Sequence, residues 1–177
     1  SGFCIFNDCA VTAPVLLAEG RVQRLMVIDL DVHQGDATAA IFAGEPRVFT
    51  LSVHCGSNFP LRKQQSDVDL ALDDGLGDDA YLEAIGDLIP TLLDQEQPDL
   101  VLYNAGVDPH REDRLGRLQL SDQGLLNRDR LVLDSCLRRN IPIATVIGGG
   151  YDDLKPLVLR HGLVFRAANE QARLHGL

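Results

Sequence analysis

The sequence has few of the features that mark membrane, secreted or nucleic-acid-binding proteins. It has no apolar run as long as a membrane span and no signal peptide. Positive charge is scarce, because 16 Lys and Arg face 26 Asp and Glu, which leaves a net charge of −10. Surfaces that bind phosphates or anionic lipids are usually basic, so we expect neither nucleic acid nor a membrane as a partner.

Cysteine is also scarce, and its spacing argues against several metal and redox sites. The four cysteines are Cys4, Cys9, Cys55 and Cys136, and no two of them form a CxxC pair. Zinc ribbons and thioredoxin-like motifs need such pairs. A disulfide framework is not expected in a chain of 177 residues with 45% hydrophobic residues. We therefore expect reduced thiols and a cytoplasmic protein.

The order of apolar and amphipathic segments predicts an α/β fold. Apolar runs indicate strands at residues 25–31, 48–53, 100–104 and 141–147. Helical spacing indicates helices at residues 8–19, 36–43, 78–95, 121–139 and within 153–175. Strands that alternate with helices form a parallel sheet covered on both faces, so we expect a single three-layer sandwich with a mainly parallel sheet. Long loops at residues 54–77 and 105–120 follow two of the strands, and loops of this length are usually functional.

Acidic residues and a histidine follow the first predicted strand. Residues 29–36 read DLDVHQGD. Alternate side chains of a strand share a face, so Asp29, Asp31 and His33 should point the same way at the carboxyl end of the strand, where open α/β sheets bind ligands. Isolated charges are costly to bury, and such a cluster usually needs a cation or a hydrogen-bond network. This segment therefore predicts a metal site.

The other strand ends complete a candidate site. Asp31 and His33 with Asp108, which follows the third strand, make a three-ligand set that leaves a fourth coordination position open, as in catalytic zinc sites. Tyr151 follows three glycines after the fourth strand and is placed to donate its hydroxyl to a developing oxyanion. Together these residues predict metal-assisted hydrolysis of a carbonyl compound.

Each of these residues also has a simpler interpretation. An Asp-x-Asp pair at a strand end is common in phosphoryl-transfer enzymes, and such an Asp can also cap the next helix. Asp108 precedes Pro109 and fits a turn, and Tyr151 alone fits a surface or core position. The glycine triplet could bind phosphate, but no Lys-Ser/Thr follows it as a P-loop requires.

Four motifs, taken in order, resemble those of the zinc-dependent histone deacetylase superfamily. They are residues 1–8 (SGFCIFND), 29–36 (DLDVHQGD), 104–108 (NAGVD) and 148–151 (GGGY). The resemblance covers essentially the whole chain, and residues 113–116 (DRLG) are similar to the small bacterial and class IV branch. It implies an arginase/deacetylase-like fold, Zn²⁺ as cofactor, and hydrolysis of acetyl-lysine-type amides. Acetylated lysine or an acetylpolyamine-type molecule would be the substrate.

The resemblance also implies a role for each matching residue. Asp31, His33 and Asp108 would bind zinc, and Tyr151 would be the oxyanion donor. A neighbouring monovalent-cation site, for which K⁺ is a candidate, would lie at Asp29, Ser52 and Val53. Asp36 would orient a catalytic histidine. A substrate channel would be lined by Gly2, Phe3, Phe59 and Gly149.

The chain departs from the family pattern in one respect. The histidine pair that acts as general base in the family would lie just before Ser1, and this sequence contains no adjacent histidines. We therefore expect residues 1–177 to be the carboxy-terminal part of a single deacetylase-like domain that lacks the amino-terminal part. General acid–base help contributes about 100- to 10,000-fold in rate, so the chain alone should be weakly active or inactive. It should also self-associate or pair with the missing amino-terminal segment, because a missing flank leaves apolar surface uncovered.

Two alternatives remain open at this point. A non-catalytic module could bind acyl-lysine and metal without a general base. An arginase-like manganese hydrolase would share the fold but needs two metals, and hence more carboxylates and histidines than the motifs supply.

Overall fold

The computed structural model describes residues 3–177, so the predicted channel residue Gly2 lies outside the described residues. The strands of this part of the chain are β1 (Leu25–Asp29), β2 (Val48–Cys55), β3 (Val68–Leu72), β4 (Leu100–Asn104) and β5 (Ile143–Val146). The helices are α1 (Asp8–Ala18), α2 (Asp36–Phe42), α3 (Asp78–Gly86), α4 (Leu88–Glu96), α5 (Asp122–Leu137) and α6 (Leu154–Leu174).

The strands form one parallel sheet in the order β3-β2-β1-β4-β5. β1 is the central strand, and each of its residues is buried. Asp29 at its end lies opposite Ser52 of β2 and Asn104 of β4. The polar residues that follow these strands therefore share one edge of the sheet.

Helices cover both faces of the sheet, and alternate residues of β1 pack against different layers. Leu25 and Val27 belong to a smaller apolar cluster with residues of α1 and α2. Met26 and Ile28 belong to a larger cluster with residues of α3, α4, α5 and α6. Burial of apolar area on the two faces contributes about 25 cal/mol per Å² to folding. The predicted α/β fold with a parallel sheet between helical layers is confirmed.

Two predicted elements differ from the structure. The predicted loop at residues 54–77 contains β3, which pairs with β2 from Val68 opposite Leu51. This strand is short, lies at the sheet edge and is only partly buried, so its sequence carries no long apolar run. The single helix predicted at residues 78–95 is divided into α3 and α4 at Asp87. Pro90 explains the break, because its ring would collide with the carbonyl of Gly86 in a continuous helix. In the first turn of a separate helix, proline is tolerated.

The predicted amino-terminal cap of α5 is confirmed. Ser121 caps α5, and its side chain accepts a hydrogen bond from the Gly124 amide.

Within residues 3–177, none of the helices has both the length and the apolar character needed to cross a bilayer.

Candidate metal centre

The polar residues that follow β1 are positioned by a bend in the chain and not by the alternation of side chains along a strand. β1 ends at Asp29, and residues 31–33 form a bend. Leu30 and Val32 are fully buried, whereas Asp31 and His33 keep part of their surface exposed. The prediction that alternation aligns Asp29, Asp31 and His33 on one strand face is therefore wrong beyond Asp29, although Asp31 and His33 do come together.

Asp31, His33 and Asp108 form a compact set of metal-ligand atoms. The Nδ1 atom of His33 lies 3.1 Å from Asp31 Oδ1 and 3.0 Å from Asp108 Oδ2. One ligand atom from each residue lies within 4.8 Å of the others. Ligand atoms about 2.0 Å from a tetrahedral zinc ion lie about 3.3 Å apart, so the spacing suits such an ion after small adjustments. Two carboxylates and one imidazole also match the charge of a divalent cation.

The electrostatics of the cluster favour positive charge. Burial, and then the nearby charge of Asp31, raise the pKa of Asp108 well above its usual range. Burial disfavours the charged form of His33, but hydrogen bonds to Asp108 and Asp31 outweigh it and raise the pKa of His33 to about 10. Burial opposes ionisation of Asp31 as well, yet hydrogen bonds, first that with His33, lower its pKa. Burial and the neighbouring carboxylate thus oppose ionisation of Asp108, and a bound cation would favour the ionised form of both carboxylates.

Backbone groups hold the two carboxylates in place. The Gly149 amide donates to Asp31 Oδ2 at 2.7 Å, and the Val32 amide donates to Asp108 Oδ1 at 2.8 Å. The Gly149 carbonyl accepts a hydrogen bond of 2.7 Å from the Val107 amide. A Cβ atom on Gly149 would overlap Asp108 Oδ2 and lie 2.7 Å from Asp31 Oδ2. Gly149, predicted as a channel residue, therefore lies directly against the ligand carboxylates.

Tyr151 lies beside the three ligands. Its ring meets the ring of His33 edge-on, with the centroids 5.8 Å apart. Burial, followed by the charges of Asp31 and Asp108, raises the pKa of Tyr151 to about 12. The phenol stays protonated near neutral pH, so it is available as a hydrogen-bond donor. This is the property that an oxyanion donor needs.

The two predicted channel aromatics lie on exposed segments. Phe3 is 81% exposed, and its ring centroid is 5.7 Å from that of Tyr151. Phe59 is 50% exposed. Its neighbour Asn58 is buried and donates from Nδ2 to the Leu115 carbonyl at 2.7 Å, which fastens this loop to the loop at residues 113–117.

A second polar cluster lies next to the metal ligands. Asp29 is buried, and its carboxylate accepts hydrogen bonds from Asn104 Nδ2 and the Asp31 amide. Burial, followed by the charge of Asp31, raises the pKa of Asp29 to about 8. Ser52 lies opposite Asp29 in the sheet, and its Oγ atom is 3.1 Å from His54 Nδ1. Val53, the next residue of β2, is also buried. The cluster holds the residues predicted for a monovalent cation, and that role stays a prediction.

Asp36 is the first residue of α2 and is partly buried. Its Oδ1 atom accepts a hydrogen bond of 2.8 Å from the Ala37 amide. Its predicted role, to orient a catalytic histidine, stays a prediction.

Sequence reasoning missed two buried polar residues near the site. Gln34 donates from Nε2 to the Gln64 carbonyl at 2.7 Å and to Asp69 at 2.8 Å, which ties the metal loop to β3. Arg128 on α5 is fully buried behind the metal loops. Its spacing could have identified it, because Arg128 falls on the same helical stripe as the buried residues Leu125 and Val132.

The chain is similar to known deacetylases over most of its length. A family model described as "Histone deacetylase domain" matches residues 1–159. An uncharacterised protein of Picosynechococcus is 52% identical over 171 residues, which cover 96% of this chain and 57% of that protein. Histone deacetylase 2 of Arabidopsis thaliana is 31% identical over 153 residues, covering 85% of this chain and 40% of the relative.

A bacterial relative extends the same pattern. A histone deacetylase-like amidohydrolase of Pseudomonas aeruginosa is 29% identical over 164 residues, covering 86% of this chain and 43% of the relative. The chain thus spans between 40% and 57% of the length of these curated relatives. The resemblance expected from the four motifs is confirmed: the chain belongs to the histone deacetylase domain family.

Proposed function

We propose that this chain carries the metal centre and acyl-lysine channel of a zinc-dependent deacetylase that hydrolyses acetyl-lysine-type amides. The observation that carries the proposal is the convergence of Asp31, His33 and Asp108 on one point at the carboxyl edge of the sheet. Membership of the deacetylase family supports the substrate class, which is acetylated lysine or an acetylpolyamine. The four sequence motifs and their order support the further proposal that residues 1–177 are the carboxy-terminal part of one deacetylase domain.

The donor set fits zinc, and the surrounding residues fit an amide substrate. Zinc held by Asp31, His33 and Asp108 would supply Lewis-acid chemistry that polarises an amide carbonyl and acidifies water. The phenol of Tyr151 would donate a hydrogen bond to the carbonyl oxygen as negative charge develops there. Phe3 and Phe59 would line the path of the aliphatic lysine stem. Asp29, Ser52 and Val53 would hold a monovalent cation such as K⁺, which would favour the ionised form of the buried Asp29 carboxyl group.

The absence of a histidine pair from this sequence limits the expected activity of the chain alone. Asp36 is proposed to orient a catalytic histidine, and the sequence contains no adjacent histidines. Without general acid–base help, turnover should fall by about 100- to 10,000-fold relative to an enzyme that has it. A non-catalytic acyl-lysine and metal-binding module is the alternative proposal.

The central test is metal content. The described residues contain one group of at least three His, Cys, Asp or Glu side chains with metal-ligand spacing. We expect one zinc ion per chain by elemental analysis after dialysis, and loss of that ion in Asp108→Ala. Two manganese ions per chain would favour the arginase-like alternative. The proposal would be overturned if the purified chain held no tightly bound divalent metal.

Substrate binding separates the enzyme from the module. The zinc-loaded chain should bind an acetyl-lysine peptide more tightly than the unacetylated peptide. Turnover comparable to that of an intact family member would contradict the expected impairment. Binding without any turnover, even in a longer chain that includes a histidine pair, would favour the module.

Partners and location follow from the surface and the cysteines. We propose that the exposed apolar face of α6 and the open edge at β5 mediate self-association or pairing with a further segment of the domain. A cytoplasmic location is proposed because the four cysteines are free thiols.

A further inference from the structure

α5 carries a charged pair on its buried face. Leu125, Val132 and Cys136 on this face are fully buried, and Arg128 between them is also 0% exposed. Asp129 beside it is 1% exposed. An unpaired guanidinium is costly to bury, so each of its donors needs a partner in the protein. The partners of Arg128 therefore indicate what the residue does.

The guanidinium contacts one carboxylate and two backbone carbonyls. Nε and Nη2 donate to Asp129 Oδ1 at 2.9 and 2.8 Å. Nη1 donates to the Gly106 carbonyl at 2.6 Å and to the Leu30 carbonyl at 3.3 Å. The Tyr103 hydroxyl donates to Asp129 Oδ1 at 2.6 Å and so fixes the carboxylate that orients the guanidinium.

The two carbonyls belong to the two loops that carry the candidate metal ligands. Leu30 directly precedes Asp31 after β1, and Gly106 lies two residues before Asp108 after β4. The loops touch at this point, because a Cβ atom on Gly106 would lie 2.6 Å from Asp31 Oδ2 and 3.0 Å from Asp31 Cα. One nitrogen of Arg128 thus bridges the two loops directly beneath the ligands.

We propose that Arg128 is a positioning residue for the metal centre, setting the distance between the Asp31–His33 loop and the Asp108 loop. The inference rests on the proposed function, in which these three residues bind a divalent cation. Ligand loops held by a rigid, planar donor pay less conformational entropy when the ion binds. Asp129 and Tyr103 act through Arg128, since they hold its guanidinium in the plane that reaches both carbonyls.

The test compares two variants of the 177-residue chain that alter the bridge in different ways. Arg128→Lys keeps the positive charge beside Asp129 but lacks the fork that reaches both carbonyls. The second variant combines Arg128→Met, Asp129→Leu and Tyr103→Phe, which removes the charged pair together with the Tyr103 hydroxyl and leaves no unpaired charge. Leu93→Ala on α4 is the control, since it removes a buried core side chain away from the strand ends.

Two measurements are made on each protein. Zinc affinity is measured by competition with a chromophoric chelator, and amide hydrogen exchange is measured on the metal-free chain. We expect both Arg128 variants to bind zinc roughly 10- to 100-fold more weakly than the unchanged chain. Exchange should become faster at residues 30–33 and 105–108 in both variants. Leu93→Ala should leave zinc affinity and exchange in those two segments unchanged at temperatures where it is folded.

The outcomes separate this inference from the proposed function. If the unchanged chain fails to bind zinc, the metal-site proposal fails, while the exchange data still test the bridge. The inference is overturned if either folded Arg128 variant binds zinc as tightly as the unchanged chain and exchanges its amides at residues 30–33 and 105–108 as slowly. If neither variant folds, Arg128 is required for folding rather than for positioning, and the inference is overturned as well.

Discussion

Gly149 has little room for a side chain beside the candidate metal ligands. Its amide donates to Asp31, and a Cβ atom there would overlap a carboxylate oxygen of Asp108. Gly149→Ala must therefore displace one or both carboxylates. We expect zinc affinity to fall by roughly 10- to 100-fold, measured by chelator competition on the folded variant.

The matched control for this change is Gly162 in α6. No atom lies within 4 Å of a Cβ atom built there. Gly162→Ala should keep zinc affinity and gain about 0.5–1 kcal/mol of stability, because alanine is the better helix former. Equal zinc affinities for Gly149→Ala and Gly162→Ala would contradict the structural role of Gly149.

At the residue scale, sequence motifs could predict which residues form the candidate metal cluster but not which residues support it. Asp31, His33 and Asp108 follow strands, and the carboxyl ends of parallel strands share an edge. Arg128 was missed because a charged residue in a helix is usually solvent-exposed, and only the spacing of its apolar neighbours marks it as buried. Gly149 was predicted as a channel residue, a role that stays a prediction, and the sequence did not indicate that its amide donates to Asp31.

The loop at residues 113–116 is the element that holds Tyr151 in place. Asp113 Oδ1 accepts hydrogen bonds from the Leu115 and Gly116 amides, and Oδ2 accepts one of 2.7 Å from the Tyr151 amide. The Arg114 amide donates in return to the Tyr151 carbonyl at 3.2 Å. One carboxylate thus joins this loop to the end of the glycine triplet.

Removal of that carboxylate should destabilise the fold measurably. Asp113→Ala leaves three amides without their acceptor, and we expect a loss of about 1–3 kcal/mol in the free energy of unfolding. Urea denaturation followed by circular dichroism measures this loss. Arg114→Ala is the control, because the exposed Arg114–Asp153 ion pair should contribute less than about 1 kcal/mol. Similar losses in the two variants would argue against the role of Asp113.

At the element scale, prediction succeeded where the apolar pattern was strong. The buried strands β1 and β4 have continuous apolar runs and were placed within two residues of their observed ends. β3 was missed because an edge strand buries only one side and needs few apolar residues. The α3–α4 break was missed because Pro90 was read within a longer amphipathic pattern instead of as the start of a new helix.

On the whole molecule, several exposed apolar residues lie on the outer face of α6. Val158, Leu159 and Phe165 are 58%, 67% and 64% exposed. Exposed apolar surface is a frequent feature of interaction sites. The open edge of the sheet at β5 is a second surface that can pair with another strand.

We therefore expect concentration-dependent association of the chain in sedimentation experiments. The double variant Leu159→Glu with Phe165→Glu should shift the population towards monomer. The control is Ile41→Glu, at an exposed position on α2 in the opposite helical layer. This variant should leave the fraction of monomer unchanged. A monomeric unchanged chain at all concentrations would contradict self-association, and an equal effect of Ile41→Glu would contradict the choice of surface.

The distance in sequence between the ligands has a consequence for how the protein matures. His33 and Asp108 are 75 positions apart, yet their side chains meet at 3.0 Å. During synthesis Asp31 and His33 leave the ribosome long before β4, and closing so long a loop in an unfolded chain is entropically unfavourable. If these residues bind a metal as proposed, tight binding must wait until β4 has paired with β1. A bound ion would then favour the folded state by mass action, so metal supply in the cell would influence how long each newly made chain survives.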